Sequence, residues 1–128
     1  MKALLDAHTL LWYLAGSSQL SALALATIQD SANALFVSPA TLWEIGIKDS
    51  LGKLKLPEPF EKMFPARLDA DGIVLLPILI PHLHQHRLLP RHHNDPFDRL
   101  IIAQALTENI AIISRDPEFA RYGVSLLW

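Results

Sequence analysis

The sequence contains no cysteine. That excludes a disulfide framework and any thiolate metal site, and it fits a reducing cytoplasm as the expected location. There is no run of about 18 apolar residues, so no membrane-spanning helix and no membrane partner are expected. The apolar stretch between Lys2 and Asp6 is too short for a secretory signal, so the chain is expected to start where its fold starts. Basic charge is also short: 11 Lys and Arg stand against 13 Asp and Glu, a formal net charge of −2. Bulk electrostatics therefore does not favour nucleic acid, which would have to be held by a local basic rim or by metal ions. Internal repeats, low-complexity tracts and linkers are absent too.

What is present is the composition of a folded domain. Hydrophobic residues make up 51% of the 128 positions, which argues against disorder. A chain of this size buries roughly two thirds of its unfolded surface and folds without staples, so residues 1–128 read as one domain. Short apolar segments alternate with amphipathic ones, the pattern of an α/β fold with a parallel sheet. Strands are predicted over 3–6, 35–37, 73–76 and 110–113, with 124–127 a fifth at the edge. Helices are predicted over 8–15, stopped by Gly16, and over 20–31, with Ser21 as the cap. Ser38-Pro39 and Asp95-Pro96 each pair a capping side chain with a proline at the first helical position. They open helices that run to about Leu51 and Glu108. A helix over 60–68 contains Pro65 awkwardly, and a short one over 80–89 precedes a polar loop at 91–94.

Four acids are the informative residues. Asp6 ends the first strand, and Asp116 follows the fourth. Glu44 lies in the apolar stretch Leu42-Trp43-Glu44-Ile45-Gly46-Ile47, and Asp98 lies in the helix opened by Asp95-Pro96. Ligands of open parallel sheets bind beyond the carboxyl ends of the strands, where these four can converge. Converging carboxylates repel unless a cation or a proton lies between them. An all-oxygen ligand set selects Mg²⁺ or Mn²⁺ over zinc. Such ions lower the pKa of bound water and neutralise a phosphate, and two of them about 3.5–4 Å apart can divide attack and departure in phosphodiester cleavage.

Each acid also has an ordinary reading. Asp6 is placed to cap the first helix, Glu44 to pair with Lys48 four residues on, Asp98 to complement a helix dipole, and Asp116 to open a turn or cap a helix. Two details weigh against those readings. Glu44 is flanked by apolar residues, and burial there is costly without a partner. Asp95 already fills the cap position, so Asp98 is not needed for it.

At this point the sequence resembles the PIN-domain ribonucleases, in particular the VapC-like toxins of bacterial toxin–antitoxin pairs. Leu4-Leu5-Asp6-Ala7-His8 resembles their opening strand. Ser38-Pro39-Ala40-Thr41-Leu42-Trp43-Glu44-Ile45-Gly46-Ile47-Lys48 resembles their second motif, and the run from His93-Asn94-Asp95-Pro96-Phe97-Asp98 to Ala105 their third. Ser114-Arg115-Asp116, with Phe119 and Tyr122-Gly123-Val124, resembles the last. The motifs span nearly the whole chain in the family's order. The resemblance implies a three-layer sandwich around a parallel sheet of four or five strands. It implies that Asp6, Glu44 and Asp98 hold Mg²⁺ or Mn²⁺ with Asp116 in support, and that structured RNA such as tRNA or rRNA is cut, arresting translation. It also implies a homodimer and a small antitoxin whose tail enters the acidic cleft and whose other part binds operator DNA. One departure is visible: where the family often has Thr or Ser after the first Asp, this chain has Ala7, leaving Thr9 and Ser38 as candidate replacements.

Candidate RNA contacts lie around these motifs. Arg91, His92 and His93 form the polar loop before Asp98. Arg99 follows Asp98, where it touches a phosphate or pairs with a nearby acid. Lys48, with Lys53 and Lys55, makes either a basic rim or a solvated helix end. His82, His84 and His86 have a spacing that invites zinc, against which stands a solvated polar face. Trp12, Trp43 and Trp128 read as packing or interface residues. Two other functions compete. A phosphotransfer protein needs a second acid beside or two residues after the first, where Ala7 and His8 stand. A PIN-like module that binds RNA or protein without efficient cutting is opposed by the retained acids.

Overall fold

A computed structural model of the chain describes residues 1–128. Strands β1 (Lys2–Leu5), β2 (Ala34–Val37), β3 (Ile73–Leu75), β4 (Ala111–Ile113) and β5 (Leu126–Leu127) form one sheet in the order β3-β2-β1-β4-β5. Every pairing is parallel, which requires the crossover helices that the alternating pattern suggested. These are α1 (Ala7–Leu14), α2 (Ala22–Gln29), α3 (Pro39–Ser50), α4 (Phe60–Met63), α5 (Ala66–Ala70), α6 (Ile80–Leu88) and α7 (Pro96–Glu108). A 3-10 turn over Pro117–Tyr122 links β4 to β5. No helix is long and apolar enough to cross a membrane.

The central strand explains the layering. Ala3, Leu4 and Leu5 are all fully buried, as a strand covered on both faces must be. Alternation sends Ala3 and Leu5 to one face, where they pack with Leu10, Leu14, Ala24, Ile28 and Ile45 of α1, α2 and α3. Leu4 goes to the other, against Ile101, Ile102 and Ala105 of α7 and Phe119 of the 3-10 turn. Each such Leu contributes about 1.5–3 kcal/mol of apolar burial, so β1 is clamped from both sides.

Local signals placed most ends correctly. The side chains of Ser21, Ser38 and Asp95 cap α2, α3 and α7, and Gly16 and Gly52 take the left-handed φ that stops a helix. The helix expected over 60–68 is broken in two. Pro65 has no N–H to donate and disfavours helical geometry at Phe64, which is extended between α4 and α5.

The histidine triplet is not a solvated face. His82 is 1% exposed; its Nδ1 accepts the Leu79 N–H at 2.9 Å. Nε2 must then carry the proton, and it donates to Glu108 at 2.8 Å. His82 thus caps its own helix and ties it to the end of α7, while His84 is exposed, so the three do not gather on one ion.

Candidate active site

The strand order reverses direction at β1, which has β2 on one side and β4 on the other. A crevice opens at such a switch point beyond the carboxyl ends of the strands. The register pairs Leu5 with Ile113, so the next residues, Asp6 and Ser114, meet at the crevice floor. Asp6 is 6% exposed and does two jobs. Its Oδ1 accepts the Thr9 N–H at 2.8 Å, capping α1, and its Oδ2 accepts the Ser114 hydroxyl. Ser114 Oγ accepts in turn from the Asp116 N–H at 3.0 Å, and Asp116 caps the 3-10 turn through the Glu118 N–H at 3.0 Å.

The other two acids arrive on helices. The cap at Ser38 starts α3 directly after β2, and its second turn carries Glu44, which is buried and accepts from Lys48 Nζ at 2.9 Å. Asp95 accepts the N–H groups of Phe97 and Asp98 at 2.9 and 3.0 Å, so the Asp98 side chain is not used for capping. Trp43 and Phe97, each one residue before its acid, meet edge to face with ring centroids 5.4 Å apart. That contact locks α3 to α7 where Glu44 and Asp98 must approach.

Electrostatics reports the convergence. Asp98 is pushed up from 3.8 to about 8, first by burial and then by the charges of Asp95, Glu44, Asp6 and Asp116. The three other sequence-predicted acids therefore act on one carboxyl, together with the cap residue. As placed, no three Asp, Glu or His side chains form a group able to hold an ion. Glu44 is drawn onto Lys48, and Asp6 onto Ser114 and Thr9. The ordinary reading thus holds for Asp6, Glu44 and Asp116 while all three still crowd Asp98. The donor chemistry suits a hard divalent ion: it is all carboxylate, and burial together with the neighbouring acids raises the Asp98 carboxyl to about 8.

Of the expected RNA contacts, Arg99 is placed elsewhere. It is 3% exposed, and its guanidinium donates to the Pro90 and Leu89 carbonyls at 2.8 and 3.4 Å and to the Tyr122 hydroxyl at 3.2 Å. It forms no ion pair with an acid; it anchors the loop before α7. His93 is pinned by the same hydroxyl, with Nδ1 at 2.6 Å, and its Nε2 stands 3.4 Å from Asp98. His92 packs edge to face on Tyr122, Arg91 is exposed, and Lys48 is engaged by Glu44. Neither Thr9 nor Ser38 replaces the hydroxyl lacking at Ala7: Thr9 donates to the Ile113 carbonyl at 2.7 Å, and Ser38 caps α3. The hydroxyl that does meet the first acid, Asp6, is that of Ser114. Its position two residues before Asp116 was the available signal, but its partner lies 108 residues away.

Comparison with known proteins identifies the fold. The model of the PIN domain family matches residues 3–124. Ribonuclease VapC16 of Mycobacterium tuberculosis is 39% identical over 59 residues, 46% of this chain and 40% of that protein. The match thus spans well under half of the relative's length. Among solved structures, that of VapBC2 from Rickettsia felis bound to a promoter DNA fragment superimposes with a TM-score of 0.74 at 15% identity, covering 99% of this chain and 98% of the other. VapBC-1 from nontypeable Haemophilus influenzae gives 0.70 at 17% identity, covering 99% and 97%. FitAcB from Neisseria gonorrhoeae gives 0.64 at 18%, covering 98% and 96%. At such identities the structural likeness is one of fold.

Proposed function

The chain belongs to the PIN domain family, and from that premise we propose that it is a Mg²⁺- or Mn²⁺-dependent endoribonuclease, the toxin of a toxin–antitoxin pair. Its substrate on this reading is structured RNA, tRNA or rRNA, whose cleavage arrests translation. The observation that carries the proposal is Asp98, held near a pKa of about 8 by burial and by four surrounding acids. Like-charged, partly desolvated carboxylates are costly to keep near one another, and a divalent cation among them would relieve that cost.

Asp6, Glu44 and Asp98 would hold the ion, with Asp116 in support. Bound there, a divalent ion supplies a nucleophile at neutral pH and neutralises the phosphate and the leaving oxygen. The chain's own residues prepare the site. Ser114 and the Thr9 N–H fix both oxygens of Asp6. Lys48 holds the Glu44 carboxylate and must release it, or share it, when the site fills. Tyr122 fixes His93 beside Asp98, where the imidazole limits the swing of the carboxyl.

The partners follow the same reading: a second copy of the chain, and an antitoxin that fills the acidic crevice and reaches operator DNA through its own DNA-binding part. Exposed apolar side chains, among them Trp43, Ile80, Leu83 and Leu88, are of the kind that associating surfaces present, which supports a partner protein. A second function, a PIN-like module that binds RNA or protein but cuts weakly, draws support from the Glu44–Lys48 pair and from Ala7.

One assay separates the two. End-labelled tRNA and rRNA fragments are incubated with the protein and Mg²⁺ or Mn²⁺, with EDTA and Asp98→Asn as controls. Discrete cleavage that falls about 100-fold or more in both controls is expected, since even residues that only support metal ligands cost 10–100-fold. Binding without metal-dependent cleavage would replace the ribonuclease by the module.

A further inference from the structure

A flat, cationic cluster borders the acidic crevice, and none of the roles above uses it. Trp12 lies on α1, less than two turns beyond Asp6. The His8 ring stacks with the indole at 5.4 Å and an interplanar angle of 23°, as residues four apart on a helix can. The Arg115 guanidinium lies 4.6 Å from the Trp12 ring centroid, and Trp128 supports the indole at 5.8 Å. A cavity of about 270 Å³ is lined by His8, Trp12 and Arg115 together with Asp6, Ser114 and Asp116.

Arg115 differs from the other cations of the crevice. Lys48 is held by Glu44, and Arg99 is buried on carbonyls. Arg115 is exposed and forms no ion pair, although Asp116 is its neighbour in sequence, because that carboxylate caps the 3-10 turn. Its orientation is set by the aromatic face beneath it, a contact between a cation and a π system. On a chain with a net charge of −2, an unpaired cation beside an acid cluster marks where an anionic strand can approach.

We propose that His8, Trp12 and Arg115 form a nucleotide subsite that takes an unpaired base of the RNA strand next to the bond being cut. This rests on the ribonuclease reading. Unpaired RNA bases are recognised by stacking on aromatic rings and on guanidinium planes, and a flat guanidinium can hold a base while its charge serves the flanking phosphate. The cavity lies just below the roughly 300–1,000 Å³ of drug-sized pockets, a size suited to one nucleotide. A paired base keeps its faces inside the helical stack, so the subsite selects a loop or a frayed end within a structured RNA.

The test is binding, measured by fluorescence polarisation with a short fluorescein-labelled oligoriboadenylate over a range of KCl. The protein carries Asp98→Asn, with Mg²⁺ present, so that the probe survives. Arg115→Ala in this background is expected to weaken binding roughly tenfold and to reduce the salt slope by about 0.7, the value for one phosphate contact on a single strand. Arg115→Lys should restore the slope but not the affinity. Arg115 is exposed, so both variants should fold, and matching urea midpoints verify it. Unchanged affinity and slope in Arg115→Ala would overturn the subsite. Full recovery by Arg115→Lys would overturn the stacking, since an ammonium has the charge but no flat face. Because binding needs no cleavage, failure of the subsite and failure of the ribonuclease reading are seen in separate measurements.

Discussion

Asp98→Asn should stabilise the metal-free protein, and by an amount that grows with pH. The Asp98 carboxyl titrates at about 8 in the fold against 3.8 for an ordinary aspartate. Below 3.8 both the folded and the unfolded chain are protonated there, and the group costs nothing. Between 3.8 and about 8 the unfolded chain ionises while the folded one does not, so stability falls as pH rises. The slope is about 1.4 kcal/mol per pH unit, and the loss at pH 7 is about 4 kcal/mol. Above about 8 both states are ionised and the loss is complete. With a side chain only 22% exposed, Asp98 keeps most of this from solvent screening. The figure is large beside the 5–15 kcal/mol of a whole domain, which makes the test sensitive. An amide of the same shape takes no part in the titration. The assay is urea unfolding in EDTA, followed by tryptophan fluorescence, at pH 4.5, 6, 7 and 8.5. The midpoint of Asp98→Asn should exceed that of the wild type by about 2 M at neutral pH, taking a urea slope of 1–3 kcal/mol per molar, and the gap should nearly close at pH 4.5. A gap that does not change with pH, or a variant less stable than the wild type, would refute the raising of the Asp98 carboxyl by burial and by its neighbouring acids.

Two further outcomes follow from the same crevice. If Mg²⁺ binds with a millimolar Kd, 10 mM ion should stabilise the wild type by about 1.4 kcal/mol, a rise in Tm of roughly 3–6 °C in a thermal melt that shrinks in Asp98→Asn; equal shifts would remove Asp98 from the ligand set. Ser114→Ala takes a donor from the Asp6 carboxylate and an acceptor from the Asp116 N–H. It should cost about 1.5–3 kcal/mol in urea unfolding, as hydrogen bonds to charged groups do, and a loss below 0.5 kcal/mol would show that Asp6 is positioned without it.

Where sequence and structure agree, the signal was local. Asp95-Pro96 and Ser38-Pro39 specify helix starts within one turn, because a capping side chain reaches N–H groups two or three residues on. Ala3-Leu4-Leu5 is apolar at consecutive positions because both its faces are covered. Pro65 is the exception: a single helix was expected across it, and the structure has two, with Phe64 extended between them. Where they part, the deciding partner is distant. Nothing near Arg99 indicates that Leu89, Pro90 and Tyr122 surround it, and nothing near His82 indicates Glu108.

By itself the sequence determined the α/β pattern, the helix caps and the four acids, since each depends on side-chain chemistry repeated or placed within a few residues. Tertiary structure alone decided that β1 lies between β2 and β4, and that Leu5 stands in register with Ile113. That register brings Ser114 to Asp6 and lays Arg115 over Trp12. Strand order is a property of how whole layers pack, so the neighbours it creates, 108 residues apart in the case of Asp6 and Ser114, leave no mark in either local segment.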